Sequence, residues 1–356
     1  MILISVGAAP GALAIPAVAR GLAEAGQQTE VILGPHARHF VGPASFGDAN
    51  LVDEPSQPPE AALYAPATTE TVARLARGLD RASGNLKVVA PDLDAGTAEH
   101  PAVLENLGLL REDGYRLIEG SGEGMAPPEA IVAKVLSGLG GPMAGVRLLV
   151  TAGGTREPID SVRFIGNRSS GKMGLAVARE ALRRGADVTV VSANMGTVEP
   201  GTENHSVESA GELRDAVVDL AAKADALVMA AAVSDFTPAS PVGEKIRRRE
   251  GTTVLELVPT DDILASVTGR YPDLFVVGFA ATHGDPLEDA RDKLGRKGVD
   301  LVVGNDISGE GVGFGADENE VYVVGREEER FVPRTSKQEV ARVILDTMMV
   351  EMERQR

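Results

Sequence analysis

Short apolar runs that stop in glycine or a polar residue alternate with amphipathic stretches of helical period along most of this chain. ILISVG is followed by GAAPGALAIPAVARGLAEAG and then by QTEVILG, which reads as strand, small-residue turn, helix and strand. Residues 42–66 are rich in Pro, Gly and Asp and are expected to form a loop. TTETVARLARGL then reads as helix, LKVVAPD as strand and PAVLENLGLLREDG as helix. The tract SGLGGPMAG at 137–145 breaks the period and is expected to be a linker. Beyond it the pattern restarts: VRLLVTAGG is a buried-strand run, KMGLAVAREALRRG a helix ending on Gly185, ADVTVVSAN a strand and AGELRDAVVDLAAKA a helix. ALVMAAAVSDF, LFVVGFAAT and VDLVVGND add three further apolar runs. This alternation implies an α/β fold with a doubly wound parallel sheet, whose ligands bind beyond the carboxyl ends of the strands.

At 356 residues the chain is long enough for two domains. The absence of cysteine removes disulfides, thiolate metal ligands and a cysteine nucleophile together. The start MILISVGAAP has no basic n-region and no uncharged apolar run reaches about 18 residues, so a cytoplasmic protein without a membrane span is expected. The formal charge is −17, and residues 1–143 carry 9 basic against 17 acidic residues while the remainder carries 26 against 35. Neither half is a basic arm, so nucleic acid is not expected as a partner. An anionic small ligand would need a local basic cluster instead.

Such clusters stand after the apolar runs. In TAGGTREPIDSVRFIGNRSSGKMG, Gly153 and Gly154 at a strand end would let backbone approach a ligand. Ser169, Ser170, Gly171, Lys172 and Met173 place amides, hydroxyls and an ammonium at the start of a helix, an arrangement suited to phosphate. The plainer alternative is a Gly-rich βα turn with solvated charges; no Walker A motif occurs. Ala230, Ala231, Ala232, Val233 and Ser234 lead into Asp235, EKIRRR carries Lys245, Arg247 and Arg249, and Lys293 and Lys297 lie four apart on one helical face. Each charge run alone would pass for a solvated face; three at strand ends in an acidic chain point to a polyphosphate.

The motifs GGTREPID, VRFIGNRSSGKMG, AAAVSDFTP, EKIRRR, VGFAAT, KLGRKGVDLVVGNDI and GFGADENEV occur in this order. Over roughly residues 145–352 the chain resembles the phosphopantothenate–cysteine ligase domain of bacterial coenzyme A biosynthesis. The resemblance implies a Rossmann-like domain, 141–356, in which CTP activates the carboxylate of 4'-phosphopantothenate as an acyl-cytidylate and cysteine then displaces CMP. It further implies that Asn167 holds the acyl-cytidylate with Arg163 beside it, and that Lys245 is a flap lysine over the α-phosphate. Ala230 to Val233 and Phe279 would wall the cytosine, Asp261, Asp262, Ile263 and Leu264 would form the next nucleotide loop, and Lys293 and Lys297 would contact phosphates. Asp235 would face a Mg²⁺ brought by the triphosphate. Two departures are Asp261, where proline is usual, and Thr282-His283, where Glu-Thr is usual.

Residues 1–140 resemble the flavodoxin-like decarboxylase domain fused upstream in the bifunctional bacterial proteins, through APATTETVARLARGL and HPAVLENLGLLREDGYRLIEG. The departures are large. Pro91-Asp92-Leu93-Asp94 replaces P-A-M-N, Glu70 replaces an asparagine, a histidine-bearing segment is missing between Phe46 and Ala65, and there is no cysteine. His36, His39 and His100 read as surface or capping residues. The resemblance therefore implies a ligase whose N-terminal domain has lost decarboxylation, does not hold FMN tightly and serves a homo-oligomer built on a ligase-domain dimer. The alternatives are an intact bifunctional enzyme with FMN, and a noncatalytic oligomeric scaffold.

Overall fold

The computed structural model describes residues 1–80, 84–120, 124–196, 199, 201–247, 254–308 and 315–355. Its chain divides into two compact units, Met1–Ala144 with Arg183–Gly185, and Gly145–Leu182 with Ala186–Arg356.

The first unit runs β1 (Ile2–Val6), α1 (Ile15–Glu24), β2 (Thr29–Leu33), β3 (Asn50–Leu51), β4 (Ala61–Ala67), α2 (Thr69–Ala76), β5 (Leu86–Pro91), α3 (Ala95–Ala98), α4 (Pro101–Glu112), β6 (Arg116–Leu117) and α5 (Pro128–Leu139). The strands form one sheet in the order β3-β2-β1-β4-β5-β6, every pair parallel. Without the two-residue edge strand β3 this is the flavodoxin-like order. Ile2, Ile4 and Val6 on one face pack with Ile15, Val18 and Leu22 of α1, while Val72, Leu75 and Leu110 of α2 and α4 cover the other with Val89.

Two expectations need correction here. β4 lies inside the segment expected to be loop: its AALYA run pairs with β1 and β5 and is buried, and Pro66 is tolerated because the ladder with β5 shifts register between Tyr64 and Ala67. The expected linker at 137–145 begins too early, because α5 continues through Ser137 and Gly138 to Leu139. Gly138 faces Leu86 so closely that a Cβ would lie 2.6 Å from a leucine methyl, so this glycine serves packing and does not break the helix.

The second unit runs β7 (Arg147–Gly153), β8 (Arg156–Pro158), β9 (Phe164–Gly166), α6 (Lys172–Arg183), β10 (Asp187–Ala193), β11 (Glu203–Val207), α7 (Ala210–Ala221), β12 (Ala226–Met229), β13 (Phe236–Pro238), β14 (Leu257–Pro259), α8 (Ile263–Arg270), β15 (Phe275–Thr282), α9 (Pro286–Lys297), β16 (Leu301–Asp306), β17 (Glu318–Gly325), β18 (Glu329–Ser336) and α10 (Lys337–Gln355). The main sheet has the order β11-β10-β7-β12-β15-β16-β17-β18. It is parallel through β16, as a doubly wound sheet requires, and β17 and β18 add an antiparallel edge that makes the whole sheet mixed. The reason is local: β16 is followed by a hairpin that pairs back on its edge, which needs no crossover helix. Strand order reverses between β7 and β12, and at such a switch point the two outgoing loops diverge and leave a crevice. β8 with β9 and β13 with β14 form two small antiparallel ribbons beyond those strand ends.

Candidate functional site

A cavity of about 580 Å³ opens at this switch point, within the range of small-molecule sites. It collects Asn167, Ser169, Ser170, Gly171, Lys172 and Met173 after β7; Ala230, Ala231, Ala232, Val233 and Asp235 after β12; and Asp261, Asp262, Ile263 and Leu264 at the start of α8. Phe279 of β15 and Lys293 and Lys297 of α9 complete this set. Segments separated by more than a hundred residues converge because each follows a strand of one sheet.

The loops are tied to one another. Asn167 Nδ2 donates to the Val233 carbonyl at 2.7 Å, the Ala232 amide donates to the Gly153 carbonyl at 2.9 Å, and the Thr155 amide donates to the Ala232 carbonyl at 3.1 Å. The Ala231 amide donates to Thr151 Oγ1 at 3.0 Å. This lattice holds the small-residue wall against the glycine-rich turn before any ligand arrives.

Gly153 and Gly154 do not line the cavity. Gly153 has φ +90° and a Cβ there would meet the Ala193 carbonyl oxygen at 2.0 Å, while one on Gly154 would meet the Asn167 carbonyl oxygen at 2.9 Å. Their freedom is used for close backbone approach, of Gly153 to Ala193 and of Gly154 to Asn167.

Arg163 and Lys245 also stand outside the cavity lining, and Arg163 is held by partners within the chain. Its guanidinium pairs with Asp160 at 2.8 Å and donates to the Ile246 carbonyl at 2.6 Å. Asp160 accepts from the amides of Val162, Arg163 and Ile246 at 2.9, 2.8 and 3.1 Å. Burial pushes the Asp160 carboxyl up, but those three amides and the Arg163 charge outweigh it and hold the group below the usual aspartate range. The residue after Lys245 is thus clamped on both its N–H and its C=O. Arg249, the last basic residue of the same run, lies outside the described residues.

The cation cluster on α9 is balanced by one carboxylate. Lys297 pairs with Asp262, which also caps α8 by accepting from the Ala265 amide at 3.1 Å. Burial raises the Asp262 carboxyl, yet the Lys297 and Ala265 hydrogen bonds and the charges of Lys297 and Lys293 hold it low. Lys293 donates to the Phe279 carbonyl; burial first and the like charge of Lys297 second pull its ammonium below the ordinary lysine range. Asp261, the residue standing in a usual proline position, pairs with Arg214, so its charge is answered within this chain. Asp235 is exposed on the cavity wall, and its carbonyl accepts from the Thr260 amide at 3.0 Å. Among the described residues no group of three or more His, Asp and Glu is placed to hold a metal on its own. A Mg²⁺ that arrives on a triphosphate asks for only one or two carboxylates, which Asp235 fits.

The cavity also brings in Asn305, Asn319 and Lys337, which the motif reading does not assign. Asn305 follows the apolar run of β16, so a polar residue closing a buried strand was its signal, whereas Asn319 is the second residue of β17, in GFGADENEV. Lys337 opens α10 and reaches the site only through tertiary folding.

Residues 143–352 match the family described as DNA/pantothenate metabolism flavoprotein C-terminal domain. The Coenzyme A biosynthesis bifunctional protein CoaBC of Mycobacterium tuberculosis strain H37Rv is 39% identical over 385 residues, covering 93% of this chain and 92% of that protein. A cysteine/cysteine sulfinic acid decarboxylase from an unknown prokaryotic organism is 37% identical over 295 residues, 74% of this chain and 81% of that one. The crystal structure of the C-terminal domain of a CoaBC protein superposes with a TM-score of 0.52 at 34% identity, covering 60% of this chain and 98% of that one. No helix among the described residues is long and apolar enough to cross a membrane.

Proposed function

This chain belongs to the family of coenzyme A biosynthesis bifunctional proteins, and we propose that its C-terminal unit joins 4'-phosphopantothenate to cysteine with CTP as the activating co-substrate. One observation supports this reading above the rest: a cavity at the sheet's switch point has a small apolar wall for a base, and lysines and a helix start for phosphates. A carboxylate is a poor electrophile. In the proposed first step its oxygen attacks the α-phosphorus of CTP, the bond to the β-phosphate breaks and pyrophosphate leaves. In the second, the free amine of cysteine attacks the acyl carbon, the C–O bond to the nucleotide breaks, CMP departs and the nitrogen loses its proton to solvent.

Asn167 is assigned to hold the acyl-cytidylate, with its amide already turned onto Val233. Lys245 is assigned to the charge that grows on the α-phosphate, and Arg163 with Asp160 to positioning the segment that carries it. Ala230 to Val233 and Phe279 would wall the cytosine, and Mg²⁺ would ride on the triphosphate against Asp235. The proposed domain limits are 1–140 and 141–356. A ligase-domain dimer is supported by the exposed Val162, Phe164, Phe236, Leu257 and Val258 on the two small ribbons.

For the first unit we propose that decarboxylation and tight FMN binding are lost. With no cysteine in the chain, the acid is missing. Asp92 Oδ2 accepts from the Gly11 amide at 2.7 Å, which places a carboxylate on a donor of the first βα turn. Thr68 caps α2 by accepting from the Thr71 amide at 3.2 Å, and the anionic Glu70 stands in that helix's first turn, where it would repel a phosphate. His100 caps α4 through Nδ1, accepting from the Ala102 amide at 3.2 Å. The likeness to a cysteine decarboxylase favours the opposite reading, a retained lyase. Purified protein should be colourless near 450 nm, and incubation with CTP and 4'-phosphopantothenate without cysteine should accumulate acyl-cytidylate and pyrophosphate. A yellow protein that releases CO₂ from phosphopantothenoylcysteine would restore the lyase, and failure to release pyrophosphate would remove the ligase.

A further inference from the structure

Two of the five histidines stand together in the first unit, on the chain that leaves β2. The Gly34 amide donates to the Val6 carbonyl at 3.0 Å, so this chain departs beside the carboxyl end of β1. It then makes a single 3₁₀ turn, Ala37–His39, with His36 as the residue before it. The turn is fastened at both ends: the Ala37 amide donates to the Gly34 carbonyl at 3.0 Å, and the Ala37 carbonyl accepts from the amides of Phe40 and Val41 at 2.9 and 3.0 Å. Ala37 and Val41 belong to the core of the unit, at 0% and 3% exposure.

A 3₁₀ helix repeats about every three residues, so side chains three apart lie over one another. His36 and His39 have that spacing, and their ring centres are 5.9 Å apart with the planes 34° from parallel. Ala37 takes the buried side of the turn, which leaves both histidines exposed on another. Neither imidazole is hydrogen-bonded or paired with a charge among the described residues. Imidazole nitrogens suit borderline ions such as Zn²⁺, Ni²⁺ and Cu²⁺, whereas Mg²⁺ prefers oxygen. Such an ion sits about 2.0–2.1 Å from the nitrogen, hence roughly 3 Å from the ring centre, so one ion can join two rings whose centres are up to about 6 Å apart. The observed separation falls within that reach. With no cysteine in the chain, imidazole is its best ligand for these ions. A turn anchored through Ala37 and Val41 already holds the two rings side by side, which lowers the ordering cost of binding.

We propose that His36 and His39 form a two-imidazole site for a divalent transition metal, with water in the remaining positions. No group of three or more His, Asp and Glu is placed to enclose an ion among the described residues, so this site is open to solvent and its metal exchanges readily. It is independent of the nucleotide chemistry assigned to the second unit.

Calorimetric titration of the untagged full-length chain tests it. Ni²⁺ should bind with one strong equivalent that Zn²⁺ displaces and Mg²⁺ does not. His36→Gln and His39→Gln should each weaken Ni²⁺ at least about tenfold, because each removes one of two protein ligands. His205→Gln, at a histidine already paired with Glu203, should change it less than about twofold. In the wild type, Zn²⁺ should shift the His36 and His39 ring signals together in a nuclear magnetic resonance titration, a readout that needs no variant. Loss in only one of the two variants, unchanged affinity in both, an equal loss in His205→Gln, displacement by Mg²⁺, or a Zn²⁺ shift confined to one ring would overturn the proposal and leave two solvated imidazoles.

Discussion

Lys245→Ala is expected to slow acyl-cytidylate formation by about 10²–10³-fold, the usual loss when one donor to a developing charge is removed. Asn167→Ala is expected to leave that first step nearly intact and to slow the conversion of the intermediate by cysteine. The structure gives the two residues different mechanical roles. Asn167 is fixed in the wall through its bond to the Val233 carbonyl, whereas Lys245 is exposed outside the cavity lining, next to a residue clamped by Asp160 and Arg163. A lysine held by its neighbour's backbone can swing its side chain over a bound nucleotide while its attachment point stays fixed. Quenched-flow trapping of the intermediate separates the steps. Normal accumulation of acyl-cytidylate in the Lys245 variant would remove that lysine from the chemistry.

Joint replacement of Lys293 and Lys297 by alanine should weaken CTP by about a hundredfold, from charged hydrogen bonds worth roughly 1.5–3 kcal/mol each and a tenfold change per about 1.4 kcal/mol. The lower end of that range applies to Lys297, because it already pairs with Asp262 and keeps 28% of its side chain exposed. Lys293 should dominate the effect, since burial against Phe279 leaves its charge poorly solvated until a phosphate arrives. Cysteine affinity should hardly move. Calorimetry that finds CTP binding unaltered would return both lysines to the role of a solvated helix face.

Much of this arrangement is legible in the sequence because a doubly wound sheet announces itself through alternation and places its ligands after the strands. Asn167, the positions from Ser169 to Met173 and from Ala230 to Asp235, and Lys293 line one cavity for that reason. What escapes is whatever depends on tertiary pairing. β4 contains Pro66 and follows a proline-rich loop directly, so its apolar run reads as part of that loop, and only pairing between β1 and β5 makes it a strand. Gly153 and Gly154 read as ligand contacts because glycine signals close approach without saying what approaches, which here is the chain itself. Arg163 reads as a site residue by position, but its partners Asp160 and Ile246 are 3 and 83 residues away and only the folded ribbon joins them. Lys337 offers no local cue: α10 declares itself through Val340, Ile344, Met348 and Met352 on its buried side, while the cavity at its first residue is made by other segments.

The decisive measurement is the product mass formed by the pure full-length protein from CTP, 4'-phosphopantothenate and isotopically labelled cysteine. Phosphopantothenoylcysteine retaining the cysteine carboxyl carbon, with one CMP and one pyrophosphate per product, is the predicted result. Absence of any product joining cysteine to phosphopantothenate would contradict the ligase assignment and leave a noncatalytic assembly as the better description of the chain.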